Sequence, residues 1–334
     1  MLPTPISLGE GHTPLVPSRW IGPHLGLSSL HFKLEQTNPT GSYKDRFAAR
    51  LITLLVQGGH PFCLATSSGN SGAAVAAYSA AAGLPCLVCV PAEAPAAKLT
   101  QIRAYGARLL RVRGLLESPA ALRQLLHRLQ SLTQRRAMPL GTSAYALSPD
   151  AMAGIEPLSA ELTAALGAPP DRVFAPVGGG GLLTAIHRGF QTGAPRPTPP
   201  PRIHAVQPDT NDTIATALHA GEDRAREITT VTRISGLAVQ IDLDATSALQ
   251  AVRASSGTAH AVDEPLIRQV QSLTQRRAMP LGTSAYSLSP DAMAGIEPLS
   301  AELTAALGAP PHRVFAPVGG GGLLTAIPRG VQTG

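Results

Sequence analysis

The chain has 334 residues, 44% of them hydrophobic and 14% charged, and carries a net charge of +6. This composition excludes a disordered chain, and no stretch reaches the roughly 18 apolar residues a membrane helix needs. Scattered arginines and only 4% aromatics supply neither a basic stripe nor a stacking platform, which argues against nucleic acid, while the positive balance suits a small anionic substrate.

In chain order, Met1-Leu-Pro-Thr-Pro5 has no basic segment followed by an apolar one, so no signal peptide is expected. From about residue 30 strand and helix alternate. Leu30–Leu34 reads as a strand leading to Asn38-Pro-Thr-Gly-Ser-Tyr-Lys-Asp-Arg46. Asn38-Pro39 and Gly41 break regular structure, and Ser42 is the N-cap candidate for a helix carried by Phe47–Leu51. Lys44 falls in the first turn of that helix, in the positive field of its N-terminus, which favours the neutral amine that Schiff-base chemistry with a carbonyl cofactor requires. A solvated lysine on a capped surface helix fits the same stretch.

Phe62–Ala65 is the next expected strand, followed by the loop Ser67-Ser-Gly-Asn-Ser-Gly72 and an alanine-rich helix, Ala73–Ala82, stopped by Gly83. The hydroxyls, amide and free N–H groups of this loop suit a carboxylate or phenolate oxygen; they equally suit a well-capped helix. Cys86-Leu-Val-Cys89 has the spacing of a redox or zinc half-site. No second pair lies nearby, so it reads as two small thiols in a buried parallel strand, with no metal site. The absence of a disulfide framework points to the cytoplasm. A helix near Lys98–Tyr105 and a strand over Arg108–Val112 follow, and Leu122, Leu125, Leu126, Leu129 and Leu132 form the stripe of an amphipathic helix. Strand Val173–Val177 runs into Gly178-Gly179-Gly180-Gly181 and a helix over Leu182–Phe190. Successive glycines let backbone N–H groups approach a phosphate, with a helix N-terminus behind them. The loop lacks the Lys-Ser/Thr of an ATP-binding loop and does not fit Gly-x-Gly-x-x-Gly, so a small phosphate suits it better than a triphosphate; a hinge is the other reading. Pro195–Pro201 is a stiff connector, after which Ile203–Val206 resumes the strands. This alternation predicts an α/β protein with mostly parallel sheets.

The Lys44 stretch, Ser67–Gly72 and Pro176-Val-Gly-Gly-Gly-Gly181 together resemble, in order and spacing, the signature of fold-type II pyridoxal-phosphate enzymes. Gly11-His-Thr-Pro-Leu15 and Lys98-Leu-Thr-Gln-Ile-Arg-Ala-Tyr-Gly-Ala107 add to the resemblance, which covers roughly residues 9 to 270. Within the group the threonine synthases are most similar, through Lys33–Arg46 and Ala73-Ala-Val-Ala-Ala-Tyr78. The resemblance implies a two-lobed α/β fold, each lobe a mostly parallel sheet flanked by helices. Residues 1–47 and 150–334 would form the larger, cofactor-phosphate lobe, and 48–149 the smaller inserted lobe with the Ser/Asn loop. Lys44 would form the Schiff base with pyridoxal phosphate and shuttle protons; Asn70 would bond the cofactor's 3′ oxygen; and Ser67, Ser68 and Ser71 would lie near the substrate carboxylate. Gly178, Gly179, Gly180, Gly181 and Leu182 would hold the cofactor phosphate. The implied reaction takes O-phospho-L-homoserine and water to L-threonine and phosphate, in a homodimer. Threonine or serine dehydratases and cysteine synthases share the skeleton and remain alternatives.

The chain also repeats itself. Gln130–Gly193 recurs as Gln271–Gly334, 64 residues that differ only at Ala146/Ser287, Asp171/His312, His187/Pro328 and Phe190/Val331. So close a copy reads as a recent duplication, a recombined gene or an assembly error, not a solenoid. It stands where the resemblance places a C-terminal helix, strand and Thr-Gly-His-Gly-Leu-Lys turn. Ile296–Leu307, Val314–Val318 and Gly319–Leu323 offer the same order, but Gly319 replaces the threonine expected to face the pyridine nitrogen. A chimeric, catalytically impaired cofactor binder is therefore a further alternative, and Gly319–Gly322 could form a second phosphate site.

Overall fold

The structure, a computed structural model, describes residues 4–19, 21–24, 26–115, 118–193, 199–229, 232, 234, 236–265 and 314–317. The chain divides into two compact units, Met1–His12 with Thr37–Pro157 and Thr13–Gln36 with Leu158–Gly334. After Met1–His12, in the first unit, it enters the second through β1 (Leu15–Pro17), the single turn α1 (Ile21–His24) and β2 (Leu30–Lys33).

The first unit then builds α2 (Lys44–Gln57), β3 (Cys63–Thr66), α3 (Asn70–Ala81), β4 (Cys86–Pro91), α4 (Ala96–Ala104), β5 (Arg108–Val112), α5 (Pro119–Gln134) and the turn α6 (Pro149–Met152). Its three strands are parallel in the order β3-β4-β5, the arrangement that right-handed strand–helix–strand crossovers favour. β4 is central and reads as an unbroken apolar run because parallel strands are covered on both faces. Helix α2 buries Phe47, Ala48, Leu51, Ile52 and Leu55 and packs on α3, whose small residues Ala73, Ala74, Ala76 and Ala77 allow close approach. Gly83 closes α3 at φ 63, a left-handed value that glycine adopts without strain, as expected of a residue following the helix. In α5, Ser118 accepts a hydrogen bond from the Ala121 N–H at 3.2 Å, and Pro119 takes the first helical position. Leu126 and Leu129 are buried there, but Leu132 is 45% exposed. The stripe continues through buried Thr133 instead, because 3.6 residues per turn carry Leu132 off the inner face.

The second unit continues with α7 (Pro157–Leu166), β6 (Arg172–Pro176), α8 (Gly181–Thr192), β7 (Arg202–Pro208), α9 (Thr213–His219), α10 (Ala245–Ala254), β8 (Ala259–Val262) and β9 (Val314–Pro317). The strands form one sheet in the order β1-β2-β9-β6-β7-β8, parallel except for β1 at its edge. β9 comes from the second copy of the repeat and lies between β2 and β6; β6 is its counterpart in the first copy. Arg172 is paired with Val314, so the two strands are one residue out of step with the copied sequence. Lys33 on β2 is 2% exposed, and its ammonium donates to Glu161 Oε2 at 2.6 Å and to the Thr13 carbonyl at 2.7 Å, tying α7 to the sheet. A buried cation is retained only with such partners. Among the described residues no helix is long and apolar enough to cross a membrane.

Candidate active site

In the first unit the turn before α2 is built by its own polar groups. Asn38 is buried; its carbonyl accepts from Gly41 N and its side-chain oxygen from Gly11 N at 3.0 Å. Asp45 is buried too, and its carboxylate accepts from the Thr40 N–H at 3.1 Å and the Thr40 hydroxyl at 2.8 Å. Burial pushes its carboxyl pKa up, and the Thr40 bonds oppose that rise. The helix-capping expectation shifts by one residue. Tyr43 is the N-cap and makes no side-chain cap bond, while Ser42 Oγ accepts the Lys44 N–H at 3.3 Å. Lys44 therefore stands at the first helical position. Its half-buried side chain passes its own neighbour's ring, with the amine 4.5 Å from the Tyr43 centroid, and donates to Ser143 Oγ at 2.7 Å.

Ser143 belongs to a loop that sequence reasoning missed. Gly141 docks on the end of β3: its N–H donates to the Leu64 carbonyl at 2.8 Å, its carbonyl accepts from Thr66 N at 3.2 Å, and an added Cβ would sit 2.7 Å from Ala65 Cβ. The Thr142 and Thr66 hydroxyls are hydrogen bonded at 2.8 Å. Because Thr66 precedes Ser67, these contacts place the 141–143 loop, the Lys44 amine and the start of the Ser/Asn loop side by side.

Ser67 is held at φ 125, a value non-glycine residues rarely adopt and one that recurs at ligand sites. Its hydroxyl accepts from Gly69 N at 3.1 Å. Gly72 is needed for a different reason, since a Cβ there would lie 2.2 Å from the Ser67 carbonyl oxygen. Asn70 opens α3 and is exposed, Ser68 is half-buried, and Ser71 is buried with its hydroxyl lacking a hydrogen-bond partner. The backbone N–H groups of Ser68, Asn70, Ser71 and Gly72 donate no hydrogen bond within the described residues. The loop thus presents free donors and an orphaned hydroxyl, which fits the oxygen atoms of an anionic or phenolic ligand.

In the second unit the glycine row sits between β6 and α8. None of the N–H groups of Gly178, Gly179, Gly180, Gly181, Leu182 and Leu183 donates within the described residues. Gly180 is left-handed at φ 91. The Thr184 hydroxyl, in the first turn of α8, is buried without a partner. A run of unfilled donors ahead of a helix is the arrangement that binds a phosphate monoester. The first unit by itself thus offers an amine and open donors suited to a carbonyl and a phenolate oxygen, and the second by itself offers donors suited to a phosphate. Gly319–Gly322 lie outside the described residues, as does the rest of the copy apart from β9.

Two further clusters stand apart from these loops. The Cys63 and Cys86 thiols are hydrogen bonded across β3 and β4, which pushes the Cys63 thiol pKa up and the Cys86 thiol down. In the second unit Phe174 and His204 stack at 4.4 Å beside His260. Among the described residues no group of His, Cys, Asp and Glu side chains could hold a metal ion.

The sequence pattern of the family described as "Pyridoxal-phosphate dependent enzyme" matches residues 6–287. The chain is 30% identical to the threonine synthase of Methanosarcina acetivorans over 91% of its own length and 70% of that protein's. It is 31% identical to the threonine synthase of Methanocaldococcus jannaschii, over 89% and 72% respectively. Among solved structures, the T.th. threonine deaminase superposes with a TM-score of 0.68 at 26% identity, covering 93% of this chain and 92% of that one.

Proposed function

The chain belongs to the pyridoxal-phosphate dependent enzymes and is a lyase of that family; within it, we propose that it converts O-phospho-L-homoserine and water into L-threonine and phosphate. The observation that carries this reading is the nearness of the Lys44 amine to the Ser67–Gly72 loop in a chain that is 30% identical to a threonine synthase. When bound, pyridoxal phosphate supplies an electron sink for the charge left on carbon by proton loss. Lys44 attaches the cofactor and then carries protons between substrate carbons. Asn70 holds the cofactor's 3′ oxygen. Ser67, Ser68 and Ser71 bind the substrate carboxylate through hydroxyls and the open N–H groups beside them. Gly178–Leu182 hold the cofactor phosphate. The positive balance of the chain favours a doubly anionic substrate. A homodimer in the cytoplasm completes the proposal.

The likeness to a threonine deaminase favours one second reading, a dehydratase acting on threonine or serine. Purified full chain supplied with pyridoxal phosphate separates the two. Release of phosphate with threonine from O-phospho-L-homoserine is expected, and Lys44→Ala should abolish both this turnover and the visible absorption of bound cofactor. A keto acid and ammonia from threonine would establish the dehydratase instead. Cofactor uptake with no turnover of either substrate would mark a binder impaired by its duplicated end.

A further inference from the structure

We infer that Ser143 is a positioning residue for Lys44: its hydroxyl holds the amine at the mouth of the Ser67–Gly72 loop whenever the amine is not bonded to the cofactor. The inference rests on the reading of Lys44 as the cofactor-binding lysine and adds a residue to that machinery. Lysine has a long, rotamer-rich stem, and leaving it loose costs entropy each time the amine must be recaptured. Here the amine donates to Ser143 Oγ at 2.7 Å and lies 4.5 Å from the Tyr43 ring centroid, so it is held from two sides. The hydroxyl is oriented for the task. It donates its own proton to Met152 Sδ at 3.4 Å, which leaves the oxygen lone pairs free to accept from the amine. Met152 is fully buried, and Thr142 and Ala144 on either side of Ser143 are buried as well. The Gly141 bonds to Leu64 and Thr66 anchor the loop to β3. Ser143 is thus rigidly placed, as a positioning group must be.

The contact is a weak enough restraint to be released on bonding. A thioether is a poor acceptor, and a single hydrogen bond to an ammonium is worth only a modest factor in an equilibrium. The role is therefore kinetic: presenting the amine for attack on a carbonyl, and receiving it again when substrate displaces it.

Capture of pyridoxal phosphate by the cofactor-free full chain, followed through the visible band, tests this without reference to turnover. Ser143→Ala should slow capture about tenfold, the order of one charge-assisted hydrogen bond, while reaching the wild-type final absorbance. Ser143→Thr, which keeps the hydroxyl, should capture within about twofold of wild type. Met152→Leu keeps Ser143 but frees its proton and should slow capture by about two- to threefold. A Ser143→Ala chain that captures at the wild-type rate overturns the inference. If that variant loses the wild-type thermal midpoint, Met152→Leu decides the matter, and a wild-type rate there overturns it. A wild-type chain that shows no band at all would instead overturn the cofactor reading of Lys44.

Discussion

Within the glycine row, neighbouring residues lack a side chain for different reasons. A Cβ on Gly178 would lie 2.9 Å from Leu237 Cα, and one on Gly180 would lie 2.5 Å from the Asp244 carbonyl oxygen, so both are demanded by backbone packed behind the loop. Gly179 meets only the Val239 methyl groups, at 3.6 Å and 3.7 Å, which is ordinary contact. In sequence the row reads as one phosphate cradle; the packing partners at 236–237 and 244–245 are too far along the chain to leave a local signal. Gly180→Ala combines a left-handed φ with a backbone clash and should cost about 2–4 kcal/mol of stability. Gly179→Ala should change stability by no more than about 0.5 kcal/mol, yet weaken pyridoxal phosphate binding by putting a methyl group among the donors. Denaturant midpoints without cofactor and titrations with it distinguish the two. Equal stability losses at both positions would show that the whole row serves packing.

At the scale of elements, the parallel strands were legible because burial on both faces demands continuous apolar runs, as in Cys86–Pro91 and in residues 173–176 of β6. What a strand's polar residue pairs with was not legible, because cross-strand register brings together residues far apart in sequence. Cys63 beside Cys86 is one case, and Ser143 beside Lys44, a loop residue meeting a helix residue 99 positions away, is a second contact of long sequence separation. His204 on β7 is a third. Its Nδ1 accepts the Thr258 N–H at 3.1 Å, which leaves the ring proton on Nε2, and that atom is buried with no partner. Burial, followed by His260, Arg172 and Arg202, lowers the His204 pKa to about 2; burial and His219 lower that of His260 to about 4. A histidine unfolded at its ordinary value of about 6.5 binds a proton that the folded form refuses, so the folded state loses stability as pH falls below that value. Between pH 6.5 and 4.5, His204 alone should remove about 2–3 kcal/mol. His204→Asn, which can still accept from Thr258, should start less stable at neutral pH but show a visibly flatter decline. Denaturation midpoints measured across this pH range check it, and parallel declines in variant and wild type would contradict the assignment.

For the molecule as a whole, the near-identical ends of the repeat raise the question of whether residues 271–334 belong to the fold or merely follow it. The copied sequence carries a strand of the right kind at 314–318, but nothing local in it specifies which neighbours that strand finds. In the structure β9 is the third strand of six, with Leu30–Lys33 paired on one side and Arg172 and Val173 on the other. A central strand must donate and accept along both edges, and without it β2 and β6 would expose unpaired ladders. Proline is the sharpest probe of that position, since it removes a ladder donor, and the prolines of these two strands, Pro176 and Pro317, stand only at their last residue. Ala316→Pro in β9 and its counterpart Ala175→Pro in β6 should therefore behave alike, although they lie in different copies. Each should cost about 3 kcal/mol or more. The expected result is a matched fall in the denaturant midpoint and a parallel loss of bound cofactor, because β6 leads directly into Gly178–Gly181. If the second copy were an appendage, Ala175→Pro would be severe and Ala316→Pro silent, and the sheet would have to close between β2 and β6 without β9.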